Sequence, residues 1–107
     1  MRQTLYRYKD ADISIDIDSF FDNGNLVVEG YDIGKTVEEF WGDSDYEYST
    51  TVEALELNKL YSLLEVPMDE GALLAALARK FNTNSCYSEY QAFLGKHGIR
   101  YKGFSWM

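Results

Sequence analysis

The sequence predicts an α+β domain, a two-layer sandwich in which an antiparallel sheet of about four strands is covered on one face by three helices. In the first half of the chain, apolar residues alternate with polar ones, which is the period of a strand with one buried face. In the second half, apolar residues recur every three or four positions, as in an amphipathic helix. Strands that precede helices favour this class over a parallel α/β sheet.

The first strands follow from the stretch DISIDID (residues 12–18), in which isoleucines and polar residues alternate strictly. Its acidic face predicts an antiparallel sheet with one side open to water. Asn23 and Gly24 come next, and this pair favours a tight hairpin turn because both residue types tolerate positive φ. NLVVEGY then returns as the second strand. LYRY near the N-terminus is either a separate short strand or an extension of the first.

A short helix and a third strand are predicted next. Thr36 and Glu39 have the spacing of a capping box at the start of a helical turn, and Gly42 can end that helix in the left-handed conformation. The stretch YEYSTTVEA (residues 46–54) alternates again, with its tyrosines on one face and its glutamates on the other.

Three helices and a last strand complete the predicted domain. Pro67 ends the first helix, Asp69 is the expected N-cap of the second, and Gly98 ends the third. The three apolar stripes are Leu57, Leu60, Tyr61 and Leu64; Leu73, Leu74, Leu77 and Phe81; and Tyr87, Tyr90, Phe93 and Leu94. IRYKGFSW is the last strand and must return to pair with an earlier one. The predicted order is β-β-(short α)-β-α-α-α-β.

Length and composition predict a single domain over residues 1–107. The chain has 107 residues, near the commonest domain size, and its 46% apolar content is enough for a core. The longest apolar run is far shorter than the roughly 20 residues of a membrane-spanning helix, and the N-terminus lacks the apolar block of a secretion signal. Cys86 is the single cysteine, which excludes an internal disulfide and favours a reducing cytoplasm.

The negative charge is unevenly distributed along the chain. The formal net charge is −8, and residues 1–53 carry four basic and thirteen acidic groups, whereas residues 54–107 carry six and five. Such an acidic half repels nucleic acid and anionic membranes and attracts basic proteins or cations. The sequence therefore predicts no nucleic-acid partner and no membrane partner. A purely solubilising role for the acids is the alternative.

No complete metal site or cofactor motif is found in the sequence. Asp18, Asp22 and Glu29 have the spacing of three calcium-loop ligands, but Gly24 lies one position too late for the bend that such a loop needs. There is also no glycine-rich phosphate loop. We therefore expect no cofactor and no metal.

Nucleophilic catalysis has little support in the sequence. His97 lies at a predicted helix end, where a protonated imidazole favours the negative pole of the helix. Cys86 is placed in the loop NTNSC, and a Cys–His pair could form only because both residues flank the third helix. Carboxylates are too numerous for one acid–base pair to stand out. We assign no catalytic residue.

The stretch FWGDSDYEY (residues 40–48) combines aromatic and acidic residues. Tryptophan and tyrosine dominate interface hot spots, and surrounding acids select a basic partner. Packing of the aromatic side chains in the core beside a turn is the alternative. The predicted interaction face consists of Asp16, Asp18, Trp41, Asp43, Asp45, Tyr46, Glu47 and Tyr48.

The run GYDIGKTVEEFWGDSDYEYSTTV (residues 30–52) resembles the signature of a family of small, mostly uncharacterised bacterial proteins. The matching residues are Gly30, Asp32, Gly34, Glu38, Phe40, Gly42, Ser44, Asp45, Tyr46, Glu47 and Tyr48. The ending HGIRYKGFSW is also similar. The resemblance implies a cytoplasmic bacterial protein, and it supplies no settled activity and no catalytic residues to carry over. In size and charge the chain also resembles immunity proteins that neutralise toxins.

These observations predict a non-enzymatic interaction module, whose most concrete form is an immunity-type inhibitor that occludes a basic toxin surface. Two alternatives stay open. One is a small carboxylate-based hydrolase or isomerase, with or without a divalent cation, which requires a pocket lined by two acids. The other is a self-associating domain that forms a homodimer through the ends of its sheet.

Overall fold

The computed structural model describes residues 2–34 and 45–106. In this part of the chain, five antiparallel strands form one sheet, and three α-helices pack on one of its faces, which confirms the α+β class. The strands are β1 (Arg2–Lys9), β2 (Ile13–Asp22), β3 (Asn25–Gly34), β4 (Asp45–Val52) and β5 (Lys102–Trp106). The helices are α1 (Leu57–Leu64), which follows a 3₁₀ turn at Ala54–Glu56, α2 (Glu70–Lys80) and α3 (Cys86–Lys96).

The strand order in the sheet is the same as the order in the chain. The sheet has five strands rather than about four because LYRY belongs to a separate strand, β1. The Asp10 carboxylate accepts hydrogen bonds from the backbone N–H groups of Asp12 (2.7 Å) and Ile13 (2.8 Å). This side chain therefore stabilises a reversal of the chain between β1 and β2. The predicted short helix that begins at Thr36 lies outside the described residues.

The hairpin between β2 and β3 is confirmed. Asn23 (φ 50°) and Gly24 (φ 80°) form a two-residue turn, and Asp22 pairs directly with Asn25. The predicted return of the last strand is also confirmed, because β5 pairs with β4 after the three helices.

The core lies between the helices and one face of the sheet. Ile17, Val28 and Val52 come from the strands and have 2% or less of their surface exposed. The helices add the predicted stripes, whose fully buried members are Leu60, Leu73, Leu74, Leu77, Tyr90 and Leu94. This face is called the inner face below, and the other face of the sheet is called the open face.

The helix termini follow local chemistry. The Asp69 carboxylate accepts a hydrogen bond from the Ala72 backbone N–H (2.9 Å), so the predicted N-cap of α2 is confirmed. Helix α1 already ends at Leu64, and Glu65 takes the left-handed conformation (φ 55°) before Pro67 is reached. Gly98 has φ 66°, in agreement with its predicted role after α3.

The assignment of Cys86 to a loop was wrong. Cys86 is the first residue of α3 and is completely buried. Its backbone N–H donates to the Thr83 carbonyl (3.0 Å), and the Thr83 hydroxyl donates to the Glu89 carboxylate (2.9 Å). These contacts start the helix immediately after Ser85.

None of the helices in residues 2–34 and 45–106 is long and apolar enough to cross a membrane.

Candidate functional site

The predicted interaction residues are divided between the two faces of the sheet. Asp16, Asp18 and Glu47 lie on the open face, whereas Tyr46 and Tyr48 lie on the inner face. Because side chains alternate along a strand, Glu47 cannot share a face with the two tyrosines beside it. Trp41 and Asp43 are outside the described residues. Asp45 begins β4, where its backbone pairs with Ile33.

Arginines from β1 cover the aspartates of β2. Arg7 forms an ion pair with Asp16, and Arg2 pairs with both Asp18 (3.1 Å) and Glu29 (3.0 Å). Only 14% of the Asp18 side chain is exposed. The half of the open face next to β1 is therefore close to charge-balanced and does not present the bare acidic surface expected from DISIDID.

The other half of the open face contains a depression of about 350 Å³. Its lining includes the carboxylates of Glu29 and Glu47, the Tyr31 ring and Phe104, which is 60% exposed. Cross-strand pairing brings these residues together, because Tyr31 is opposite Glu47 and Phe104 is opposite Ser49. Sequence reasoning missed Phe104, because nothing in the sequence specified which strand β5 joins.

On the inner face, strands β2 to β5 and helix α3 line an open polar cleft of about 520 Å³. Asp32, Tyr46 and Tyr48 line it from the sheet, and Tyr87 and Gln91 line it from α3. Sequence reasoning did not single out Asp32 as a site residue. The signal was present, because Gly30 and Asp32 continue the alternation that buries Leu26 and Val28.

Asp32 is a half-buried carboxylate on the sheet side of this cleft. In the sheet it lies directly between Ile15 of β2 and Tyr46 of β4. The Tyr48 hydroxyl donates a hydrogen bond of 2.8 Å to its Oδ1. Burial raises the pKa of Asp32, and the hydrogen bond from Tyr48 offsets this only in part. Burial and the neighbouring Asp32 also raise the pKa of Tyr48 well above the ordinary value of a tyrosine.

Three tyrosine rings meet beside this carboxylate. The ring centroids of Tyr46 and Tyr48 are 5.3 Å apart, and those of Tyr48 and Tyr87 are 4.6 Å apart with the rings edge to face. The Tyr48 ring lies against the backbone of Gly30, its cross-strand partner. A Cβ atom at Gly30 would be only 2.1 Å from Tyr48 Cε2. Glycine at this position is therefore what lets the ring lie there.

Hydrogen bonds hold the α3 side of the cleft in place. The hydroxyls of Thr50 and Tyr87 share a hydrogen bond of 2.6 Å, and Gln91 Nε2 donates to Thr50 Oγ1 (3.1 Å). Thr50 itself is completely buried. The network connects β4 to α3 and fixes the position of the Tyr87 ring.

Cys86 and His97 do not form a catalytic pair. They lie at opposite ends of the 11-residue helix α3, which separates them by roughly 16 Å along its axis. Burial raises the pKa of the Cys86 thiol to about 11, so it is a poor nucleophile. His97 packs its ring against Phe93, with centroids 4.6 Å apart. Over residues 2–34 and 45–106, no group of three or more potential metal ligands is found.

Comparison with family models, with curated proteins and with solved structures gives no match to this chain. The resemblance of residues 30–52 to a bacterial family stays a prediction.

Proposed function

We propose that the chain is a non-enzymatic interaction module that binds a basic protein through the open face of its sheet. The observation that carries this proposal is the depression on that face. Two carboxylates, of Glu29 and Glu47, lie there beside the Tyr31 ring and the 60%-exposed Phe104. Exposed aromatic side chains supply anchors for a partner, and the acids select a basic one.

This geometry moves the proposed centre of binding away from β2. Asp16 is already paired with Arg7, and Asp18 and Glu29 are both paired with Arg2, so a partner would have to displace those arginines to reach them. Glu47 has no arginine or lysine within ion-pair distance among the described residues, so it is the predicted acid that we retain. The acidic first half of the chain would still speed the encounter with a basic partner.

The most concrete form of this function is an immunity-type inhibitor that acts in the cytoplasm. A basic side chain of a toxin would enter the depression beside Glu47, and Phe104 would pack against the surface around it, while Glu29 keeps its ion pair with Arg2. Inhibition would result from occlusion of the basic surface of the toxin and would require no chemical step by this chain.

The carboxylate-based enzyme has less support. General acid–base catalysis of that kind requires two carboxyls in different environments. Among the described residues that line the inner cleft, Asp32 is the one carboxylate.

Self-association through the sheet is a further alternative. The edge strands of the sheet are β1 and β5. Light scattering of the purified protein distinguishes a homodimer from a monomer that binds a different chain.

The test compares four immobilised forms of the protein against extract from the source cell: wild type, Glu47→Arg, Phe104→Ala and Glu65→Arg. The last is a matched control, because it makes the same charge change on an exposed residue after α1. We expect a basic protein to be retained by wild type and by Glu65→Arg. Its affinity should fall roughly tenfold or more in the other two variants.

The association rate with the retained partner should also fall steeply as ionic strength rises. Equal retention by all four forms, or a rate that does not depend on salt, would contradict the proposed use of the open face.

A further inference from the structure

We propose that the cleft on the inner face binds a small organic cation that carries an alkylammonium or guanidinium group. Asp32 would accept the charge, and the rings of Tyr46, Tyr48 and Tyr87 would surround it. This site differs from that of the proposed function, because Asp32 lies on the opposite side of the sheet from Glu47. Tyr48 and Phe104 line both sites, so the variants below change neither of them.

The Asp32 carboxylate can accept a further donor. Asp32 is half-buried between Ile15 and Tyr46, and a buried charge is costly unless it is paired. The Tyr48 hydroxyl is its one hydrogen-bond donor among the described residues, and no described lysine or arginine forms an ion pair with it. A carboxylate can accept several hydrogen bonds, so Asp32 keeps acceptor capacity for a donor inside the cleft. The raised pKa of Asp32 agrees with this incomplete compensation.

The aromatic rings beside Asp32 favour a cationic ligand. The faces of aromatic rings carry negative potential, which attracts ammonium and guanidinium groups. In this cleft the centroid of the Tyr48 ring lies 5.3 Å from that of Tyr46 and 4.6 Å from that of Tyr87, next to the carboxylate. A carboxylate combined with several rings favours an organic cation over an inorganic one, because a small metal ion requires several oxygen ligands.

The side chains that line the cleft are already held in place. The hydrogen bonds among Thr50, Tyr87 and Gln91 fix one wall, and the contact between Gly30 and the Tyr48 ring fixes the other. Binding to a preformed site avoids the entropic cost of ordering its side chains. The volume of about 520 Å³ is within the range of small-molecule pockets, roughly 300–1,000 Å³.

The experiment is a titration of ¹⁵N-labelled protein with butylammonium chloride, followed by NMR. Sodium chloride at equal ionic strength controls for salt, and 1-butanol controls for the alkyl chain without the charge. We expect butylammonium to shift the amide signals of residues around Asp32, Tyr46 and Tyr87, and we expect neither control to do so. Methylguanidinium should shift the same signals.

Three variants test the assignment. Asp32→Asn should weaken binding of butylammonium roughly tenfold or more, because the amide keeps the shape but not the charge. Tyr46→Leu removes a ring and should weaken binding by a smaller factor. Asp22→Asn is the matched control, since it removes an exposed carboxylate at the β2–β3 turn, and its affinity should equal that of wild type.

The proposal is overturned if wild type shows no shifts with butylammonium, if 1-butanol produces the same shifts, or if Asp32→Asn and Asp22→Asn bind equally well. The amide spectra of the variants show whether each is folded. A capped Gly-Lys-Gly peptide distinguishes the two sources of this cation. Tighter binding of the peptide than of butylammonium assigns the cleft to a lysine side chain, and weaker binding assigns it to a free amine.

Discussion

Replacement of Gly30 by alanine should destabilise the protein, because the Tyr48 ring occupies the space that the new methyl group needs. That Cβ would lie 2.1 Å from Tyr48 Cε2, whereas unbonded carbons prefer about 3.5–4.0 Å. The ring must therefore move by roughly 1.5 Å. Such a movement also takes the Tyr48 hydroxyl out of reach of Asp32, which now lies 2.8 Å away.

The cost can be estimated from these contacts. Overpacking costs about 1–3 kcal/mol, the lost hydrogen bond about 1 kcal/mol, and the reduced entropy of the unfolded chain returns up to about 1 kcal/mol. We therefore expect the free energy of unfolding of Gly30→Ala to fall by about 1–3 kcal/mol. With a urea m-value of about 2 kcal/mol per M, the midpoint should fall by about 0.5–1.5 M.

Two controls accompany this measurement. Gly95→Ala adds the same methyl group on the exposed side of α3, where nothing lies within 4 Å, and it should stabilise the protein by about 1 kcal/mol. In a Tyr48→Ala background, Gly30→Ala should cost little or nothing. The reasoning is refuted if Gly30→Ala has the same midpoint as wild type, or if its cost is unchanged when the tyrosine is absent.

Three further predictions concern buried groups. The Tyr90 hydroxyl is buried without a hydrogen-bond partner among the described residues. Tyr90→Phe should therefore leave the free energy of unfolding in urea unchanged or raise it by up to about 1 kcal/mol. A loss above that size would show that the hydroxyl does have a partner. Cys86 is completely buried and its thiol has a pKa of about 11. A thiol reagent at pH 8 should therefore react far more slowly with the native protein than with the urea-unfolded protein. Equal rates would show that solvent reaches Cys86 at the start of α3 in the native state. The pKa of Asp32 is raised in the folded state, so the native protein binds a proton on Asp32 more tightly than the unfolded chain does. The free energy of unfolding should therefore fall as pH rises from 3.8 through the raised pKa. Asp32→Asn should lack this component, so the variant should gain stability relative to wild type between pH 3.5 and pH 7, and a constant difference in urea midpoints would exclude the effect.

The local elements could be predicted because each depends on neighbouring residues. DISIDID shows the two faces of β2, Asn23 with Gly24 specifies a two-residue turn, and Asp69 caps α2. Cys86 was misplaced because the start of α3 depends on the hydrogen bonds that Thr83 accepts from Cys86 and donates to Glu89, and these leave no periodic signal.

The sites could be predicted less well because they depend on register between strands. Arg2 reaches Asp18 only because the Asp10 turn and an irregularity in β1 set the pairing of β1 with β2. Phe104 reaches the open-face depression only because β5 pairs with β4. Alternation alone assigns Tyr46 and Tyr48 to the face opposite Glu47, but it does not show that Asp32 and α3 complete a cleft around them.

The pairing of β5 with β4 has a consequence for the order in which the structure assembles. In the first four strands, each strand pairs with the next strand in the chain. By contrast, α1, α2 and α3 lie in the chain between Thr51 of β4 and its partner Lys102 of β5. Closing this long connection costs more conformational entropy than any other strand pairing in the sheet. We therefore expect β5 to join the sheet last during folding and its amide hydrogens to exchange with solvent first. Gly103, Phe104 and Ser105 also line the inner cleft, so each departure of this strand would open the cleft along one side. Fraying of the last strand should therefore widen the cleft, and exchange of the β5 amides would report how often this happens.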